Sequence, residues 1–552
     1  MTNSWYLPVL IALPLVGALV LAGMKGVPVR TVKLTGLAFS LAELVLIVPT
    51  WIAFRNWQTT GGSLPVAPGS TPAPGSGYAT PFVIDWIPSF GIHFSLGLDG
   101  IALVMIALIA VLVPIVLGAS WEEKLPEGRT MGGYFALILA LQAAMTGVFA
   151  ATDVFVFYVM FEVMLIPMYF LVGAFGGPRR AYAAMKFFLY SLLGGLLMLA
   201  SVIGLYVAST DHIPGGTLDW AALRQIAAQI PESTQLWIFA GFAVAFAIKA
   251  PLVPLHTWLP DAGAEAPVGA GTLLVGVLDK VGTFGFLRIC LPLLPAASHK
   301  LAWLLILMAI LGVLYGAIVA AGQSDLKRFV TYTSIAHFGF IALGVFAFTQ
   351  QSISGAVLYM VNHGIATALL FLLVGMLTAR GGSRLIGDYG GVWKVAPILG
   401  GLFLVASMAT IALPGTNSFV SEFMVLIGSY RTQPAWTVLA TIGMVLAAVY
   451  MLWIFQRTMT GPVRGAGVLD VGGPEGPEGF SVGSGGAGGV QTLGVHTAVR
   501  HKFGDLTRRE IAVLTPLVAL IILLGVYPQP VLDVINPAAA TTVTAVTIQG
   551  AK

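Results

Sequence analysis

Fourteen apolar runs, each long enough to cross a bilayer, dominate this sequence and leave little room for a soluble architecture. A spanning helix needs about 20 mostly apolar residues, because the hydrocarbon core is about 30 Å thick and each helical residue rises about 1.5 Å. The runs fall at residues 5–24, 32–54, 99–119, 131–150, 152–176, 185–207, 236–257, 267–292, 301–321, 329–349, 353–379, 397–427, 435–457 and 510–527. None shows the alternation of apolar and polar positions that a transmembrane β-barrel strand requires. Only 9% of the 552 residues are charged, whereas a water-soluble surface needs about 25%. The expected fold is an all-α polytopic membrane protein of about 14 helices. Met1–Leu21 lacks the basic start of a cleavable leader, so it is read as the first span.

Lysine and arginine in the loops set the orientation. Odd-numbered loops hold nineteen of them, including Lys25, Arg30 and Lys33, whereas even-numbered loops hold only Arg55, Arg224, Lys300 and Arg431. The odd loops are therefore expected in the cytoplasm and both termini outside. Thr59–Tyr78, rich in Gly, Ser, Thr and Pro, reads as a flexible outer excursion, and Gly461–Val495 as a Gly-rich cytoplasmic one.

Two spans carry breaks. One is AIKAPLVPLHTWLPD, Ala247–Asp261, and the other TIALPGTNSFVSE, Thr410–Glu422. Proline removes a helix hydrogen bond and clashes with the preceding turn. Within a membrane such a break survives only where protein or a wet cavity satisfies the freed carbonyls. The breaks fall in spans seven and twelve, five spans apart, as in transporters built from inverted repeats. The chain accordingly divides into residues 1–130 (three spans and the outer loop), a five-helix repeat at 131–292, a second at 301–457, the Gly-rich loop at 458–508, and a last span with an outer tail at 509–552.

Six titratable residues stand out deep within spans: Glu162, Lys249, Lys280, His337, His363 and Glu422. A charge at the bilayer centre costs about 2.5–3.5 kcal/mol on insertion scales, so these groups are expected to face one another and water. Low-dielectric surroundings disfavour the charged form of a lysine or a carboxyl, and a nearby opposite charge favours it. Moving Glu162 relative to Lys249 would therefore switch the lysine between holding and releasing a proton. The histidines suit links in a relay. Blander roles are open at this stage: Glu162–Lys249 as a static pair fixing register, the histidines as hydrogen-bonded core residues, and Lys280 as neutralised by Asp279. Lys186 is placed to snorkel toward the cytoplasm. Asp99, Glu43 and Arg288 rank lower, near span ends or without a partner visible in sequence. His256, Asp261 and Glu265 have metal-ligand chemistry without metal-site spacing, and a loop-folding role is expected.

The lone Cys290 excludes an intrachain disulfide, a CxxC pair and an iron–sulfur cluster bound by this chain alone. No GxxxxGK[ST], GxGxxG or CxxCH motif is present. A net charge of +4 gives no reason to expect nucleic acid. No cofactor and no metal site is expected, so the energy must come from a gradient or from partner subunits.

FEVMLIPMYFLVG, AAMKFFLY, AIKAPLVPLHTWLPDAGAEAPVGAG, DLKRFVTYTSIAHFGFIALG and NHGIATALLFLLVG, within about residues 130–460, resemble the proton-translocating antiporter-like subunits of respiratory complex I and of Mrp-type Na⁺/H⁺ antiporters. The resemblance implies that Glu162 and Lys249 are the coupling pair, Lys280 the central relay, His337 and His363 the link between halves, and Glu422 the group facing the outer exit. It also implies two antiporter-like neighbours, subunits L and N, and partner subunits carrying FMN and iron–sulfur clusters. The setting implied is a bacterial plasma membrane, with NADH oxidation and quinone reduction driving protons outward. Relatives usually carry lysine in broken span twelve. Glu422 stands there in this chain, which favours a complex I member other than L and N over an Mrp subunit, while a proton-translocating membrane hydrogenase arm stays open. The Gly461–Val495 segment departs from the family pattern.

Overall fold

The computed structural model describes residues 4–60, 77–469 and 503–550. Two apolar helices, α1 (Tyr6–Gly23) and α2 (Val29–Thr59), lead to an antiparallel pair of strands, β1 (Ala79–Ile87) and β2 (Ile92–Leu98). Then follow α3 (Gly100–Ala119), α4 (Met131–Ala150), α5 (Val154–Val163), α6 (Leu165–Phe175), α7 (Arg180–Thr210), the short α8 (Trp220–Ile226) and α9 (Glu232–Lys249). After a non-helical stretch come α10 (Trp258–Glu265), α11 (Val268–Leu273), α12 (Lys280–Gly285) and α13 (Leu291–Leu293). The second half comprises α14 (Pro295–Ala321), α15 (Leu326–Phe346), α16 (Gln350–Gly381), α17 (Val392–Val395), α18 (Pro397–Thr410), α19 (Asn417–Tyr430) and α20 (Pro434–Met459). α21 (Arg508–Val526) and α22 (Gln529–Gly550) complete the described chain.

Eleven helical stretches among the described residues are long and apolar enough to cross a membrane, α5 and α6 counting as one. The other three expected spans are not continuous helices. Residues 236–257 become α9 followed by turns, 267–292 is divided by π-helical turns at Leu274–Leu278 and Phe286–Cys290, and 397–427 splits into α18 and α19. Both expected breaks are therefore present, and the π-helical turns on either side of Lys280 are an addition that proline and glycine spacing did not signal. Residues 61–76 and 470–502, the greater part of both expected excursions, lie outside the described residues. The residues just after the first form the hairpin, and the stretch expected as an outer tail contains the helix α22.

Apolar side chains on α2 (Val45, Val48, Ile52), α7 (Leu189, Leu193, Leu196) and α20 (Val445, Val449) are exposed. Such apolar faces must be covered by lipid or by partner subunits, since leaving them in water is costly. α15 and α16 are instead buried along nearly their whole apolar length. The titratable residues on these two helices thus lie in the centre of the bundle. Asp325 accepts from Lys327 N and Arg328 N to start α15, and Thr349 and Ser352 form a capping box at the start of α16.

Candidate functional site

The break after α9 is stabilised locally. Trp258 Nε1 donates to the Ile248 carbonyl at 2.8 Å, and Leu252 N donates to Ala247 O at 2.9 Å. These bonds satisfy carbonyls that the prolines left free. They also fix Lys249 as the last residue of α9, fully enclosed, with its Nζ 5.0 Å from the Phe161 ring centroid and 5.4 Å from that of Phe187. Its ammonium makes no hydrogen bond to protein. Glu162 interacts with it electrostatically but forms no ion pair. A clamped register pair is therefore not what the site contains.

Glu162 stands at the end of α5, where the helix is interrupted at Met164 before α6. Its carboxylate fills the space over Gly195 of α7: a Cβ there would lie 2.0 Å from Oε1 and 2.8 Å from Oε2. Gly195→Ala is expected to expel the carboxylate from its seat beside Lys249. On the activity that the resemblance implies, proton uptake should fall severalfold while the assembled complex is retained, as read by native gel and NADH-driven fluorescence quenching.

Asp279 connects the two lysines. It is fully buried, interacts electrostatically with Lys249, and accepts from Lys280 Nζ at 2.9 Å. Lys280 Nζ also donates to the Val275 carbonyl, which the π-helical turn brings within reach, and lies 2.8 Å from His363 Nδ1. The Phe338 ring covers the ammonium at 5.2 Å. The His363 and His337 rings stand edge to face at 5.4 Å, and His337 meets the Thr410 carbonyl at the break between α18 and α19. The Nε2 atoms of both histidines are buried and without a protein partner. From His337 the line passes to Tyr359, 6.0 Å away ring to ring, whose hydroxyl donates to Glu422 Oε2 at 3.1 Å. Tyr450, with a buried unpartnered hydroxyl, faces Glu422 from α20. Asn362 ties α16 to α19 by donating to Asn417 O at 2.7 Å and Ser421 Oγ at 3.2 Å, which holds Glu422 opposite Tyr359.

All six predicted residues therefore lie along one line, Glu162 half-buried and the other five buried, with Glu162 and Lys249 at one end and Glu422 at the other. Sequence reasoning missed Asp279 as a link and missed Tyr359, Tyr450 and Phe338 altogether. Lys280 is bonded to Asp279, yet its contact with His363 shows that it is not sequestered there. Lys186 does not snorkel freely: its Nζ is 2.7 Å from Asp261 Oδ2, and Arg328 holds the other oxygen at 3.0 Å. Glu265 is held by Arg384 at 3.2 Å, and His256 packs edge to face on Tyr315 at 5.2 Å. His256, Asp261 and Glu265 thus turn to different partners, in keeping with a loop-folding role. Two low-ranked residues do find each other: Arg288 of the second π-helical turn forms an ion pair with Asp99. Glu43 accepts from Thr146 on α4 at 3.3 Å.

A cavity of about 530 Å³ opens among the loops that follow α3, α6, α10, α14 and α16, lined by Glu123, Glu265, Asp325, Lys327 and Arg384. Burial pushes the Glu123 carboxyl up from its ordinary range, and the Lys327 ammonium opposes that shift.

Residues 151–447 match the family described as NADH:quinone oxidoreductase/Mrp antiporter, TM. The chain belongs to this family. The match takes in all six residues of the line. The chain is 42% identical to NADH-quinone oxidoreductase subunit M of Mycobacterium tuberculosis, over 99% of this chain and 95% of that protein. It is 36% identical to subunit M of Pseudomonas aeruginosa, over 89% of this chain and 88% of that one. Among solved structures, a chain of respiratory complex I from Thermus thermophilus with bound NADH superposes with a TM-score of 0.78 and 30% identity, over 98% of this chain and 99% of its own. The Mrp complex from Dietzia sp. DQ12-45-1b gives a TM-score of 0.79 over 100% and 99% of the two chains, but at 22% identity it shows the shared fold alone. Membership of the NADH:quinone oxidoreductase/Mrp antiporter family makes this a multi-pass membrane protein with an antiporter-like domain.

Proposed function

We propose that this chain is the proton-translocating subunit, of the M type, in the membrane arm of an NADH:quinone oxidoreductase. The observation that carries the reading is the line Lys249–Asp279–Lys280–His363–His337–Tyr359–Glu422, in which each member touches or electrostatically senses the next. Such a line passes a proton by successive short transfers. Lys280 donates to His363 Nδ1, the imidazole pair bridges the two broken-helix halves, and Glu422 receives the proton at the far end. Glu162 sets how strongly Lys249 holds its own proton.

The chain works with partners. FMN and iron–sulfur clusters would sit in other subunits, antiporter-like subunits L and N would lie alongside, and protons would move from the cytoplasm outward with both termini outside. The long relatives named subunit M support complex I over an Mrp antiporter, and Glu422 in place of lysine agrees with that.

The test is NADH-driven proton uptake in membranes carrying Glu422→Ala, with assembly checked by native gel. Loss of uptake together with quinone-coupled NADH oxidation is the expected result. Unchanged NADH-driven uptake with reduced Na⁺ efflux would replace this reading with an Na⁺/H⁺ antiporter.

A further inference from the structure

Arg288 lies eight residues beyond Lys280 on the same divided span, about 12 Å along it at helical rise. On the orientation drawn from the loop charges, this is the outer end of the bundle. Its guanidinium is held between two aromatic faces, 4.6 Å from the Tyr78 ring centroid and 4.8 Å from that of Trp220. Trp220 Nε1 donates to the Arg288 carbonyl at 2.5 Å, and one guanidinium nitrogen pairs with Asp99. Nε and Nη2 are buried and have no protein partner. Buried guanidinium donors are costly to leave unsatisfied, so water must meet them.

There is room for it. A cavity of about 30 Å³ is lined by Asp99, Arg224, Arg288, Phe284 and, from α22, Ala538 and Thr541. One water needs about 10–15 Å³ by the same measure, so the space holds about two. The Thr541 and Thr542 hydroxyls bond back to their own helix, at Pro537 O and Ala538 O, so α22 covers the cavity without entering its polar network. Below the cavity stands Phe284, one turn from Lys280 on α12, packed against Phe149 at 4.9 Å and Phe157 at 6.3 Å. Of the cavity-lining residues on this span, Phe284 is the nearest in sequence to the central lysine and, four residues on, lies on the same helix face.

We propose that this cavity is a second outer outlet of the proton line, serving Lys280 directly, with Phe284 as its closed plug, the Asp99–Arg288 pair as its latch and α22 as its lid. When the plug turns aside, the Lys280 ammonium gives a proton to cavity water. The lysine is left as a neutral amine, the hydronium discharges to the outer water, and a proton arriving from the opposite side restores the ammonium. Glu422 takes no part in this route. The proposal rests on the proton-translocating reading above and on the orientation from loop charge.

The experiment uses the whole complex in proteoliposomes, without NADH, following passive collapse of an imposed pH step with the potential clamped. Phe284→Ala is expected to collapse the step severalfold faster than wild type. Adding Asp279→Asn with Lys280→Met should restore wild-type tightness, because the leak passes through that lysine. An assembled Phe284→Ala complex as tight as wild type overturns the proposal, and so does a leak that persists without Lys280. If Phe284→Ala fails to assemble, Ala538→Phe decides: filling the cavity from α22 should lower the protons taken up per NADH oxidised, and an unchanged ratio overturns the outlet. Failure of the underlying reading shows elsewhere, as normal NADH-driven uptake in the Asp279→Asn/Lys280→Met complex.

Discussion

Lys249→Arg is expected to stop proton uptake coupled to NADH oxidation almost as completely as Lys249→Ala. Arginine preserves the positive charge opposite Glu162, so a purely electrostatic role would survive the exchange. A guanidinium does not release its proton in a protein, whereas an enclosed ammonium with no hydrogen-bond partner can. The loss expected is about a hundredfold, the lower end of what a positioned acid–base group contributes. The measurement is fluorescence quenching by NADH-energised vesicles, normalised to assembled complex. Uptake above half of wild type in the arginine variant would remove Lys249 from the list of proton carriers.

The second large effect concerns Asp279 and Lys280. Lys280→Met alone leaves a carboxylate without its ammonium in a fully buried position, where one Asp279 oxygen already has no partner. Removing one member of such a pair costs about 3–5 kcal/mol. The single variant should therefore assemble poorly and melt early. Asp279→Asn combined with Lys280→Met removes both charges at similar volume and should recover most of the stability, because burying a neutral pair avoids that desolvation cost. Proton uptake should stay absent in both. Thermal melting of the purified complex and vesicle quenching separate the two effects. A double variant that pumps normally would overturn the reading of this line as the proton route.

What could be read from the sequence follows from contrast. A lysine, glutamate or histidine inside an apolar run stands out because its burial is costly, and Glu162, Lys249, Lys280, His337, His363 and Glu422 all declared themselves that way. Prolines 251, 254 and 414 marked the two breaks for a similarly local reason. Tyr359 and Tyr450 carry no such contrast, since aromatic residues are ordinary in spans, and their approach to Glu422 joins three helices distant in sequence. Gly195 is one of 66 glycines, and only the position of Glu162 shows which one matters. The Asp99–Arg288 pair spans 189 residues, so neither member could be assigned its partner. Asp279 was visible but was weighed as a neutraliser of its neighbour, because its reach toward Lys249 depends on how the divided span packs against α9. The π-helical turns around Lys280 have no residue signature comparable to proline.

The position of α22 bears on how the protein is made. Its Val534 carbonyl occupies the place where a Cβ on Gly100 would stand, at 1.9 Å, Gln58 donates to Asp533 O at 3.1 Å, and His299 Nε2 lies 3.1 Å from Val546 O. Each contact joins a segment to one synthesised hundreds of residues later. During translation every span can enter the bilayer before α22 has left the ribosome, yet the ends of α3 and α14 wait uncovered until it docks. Insertion and maturation are thus separate events for this chain, and a quality-control protease would find its best substrate in the interval between them.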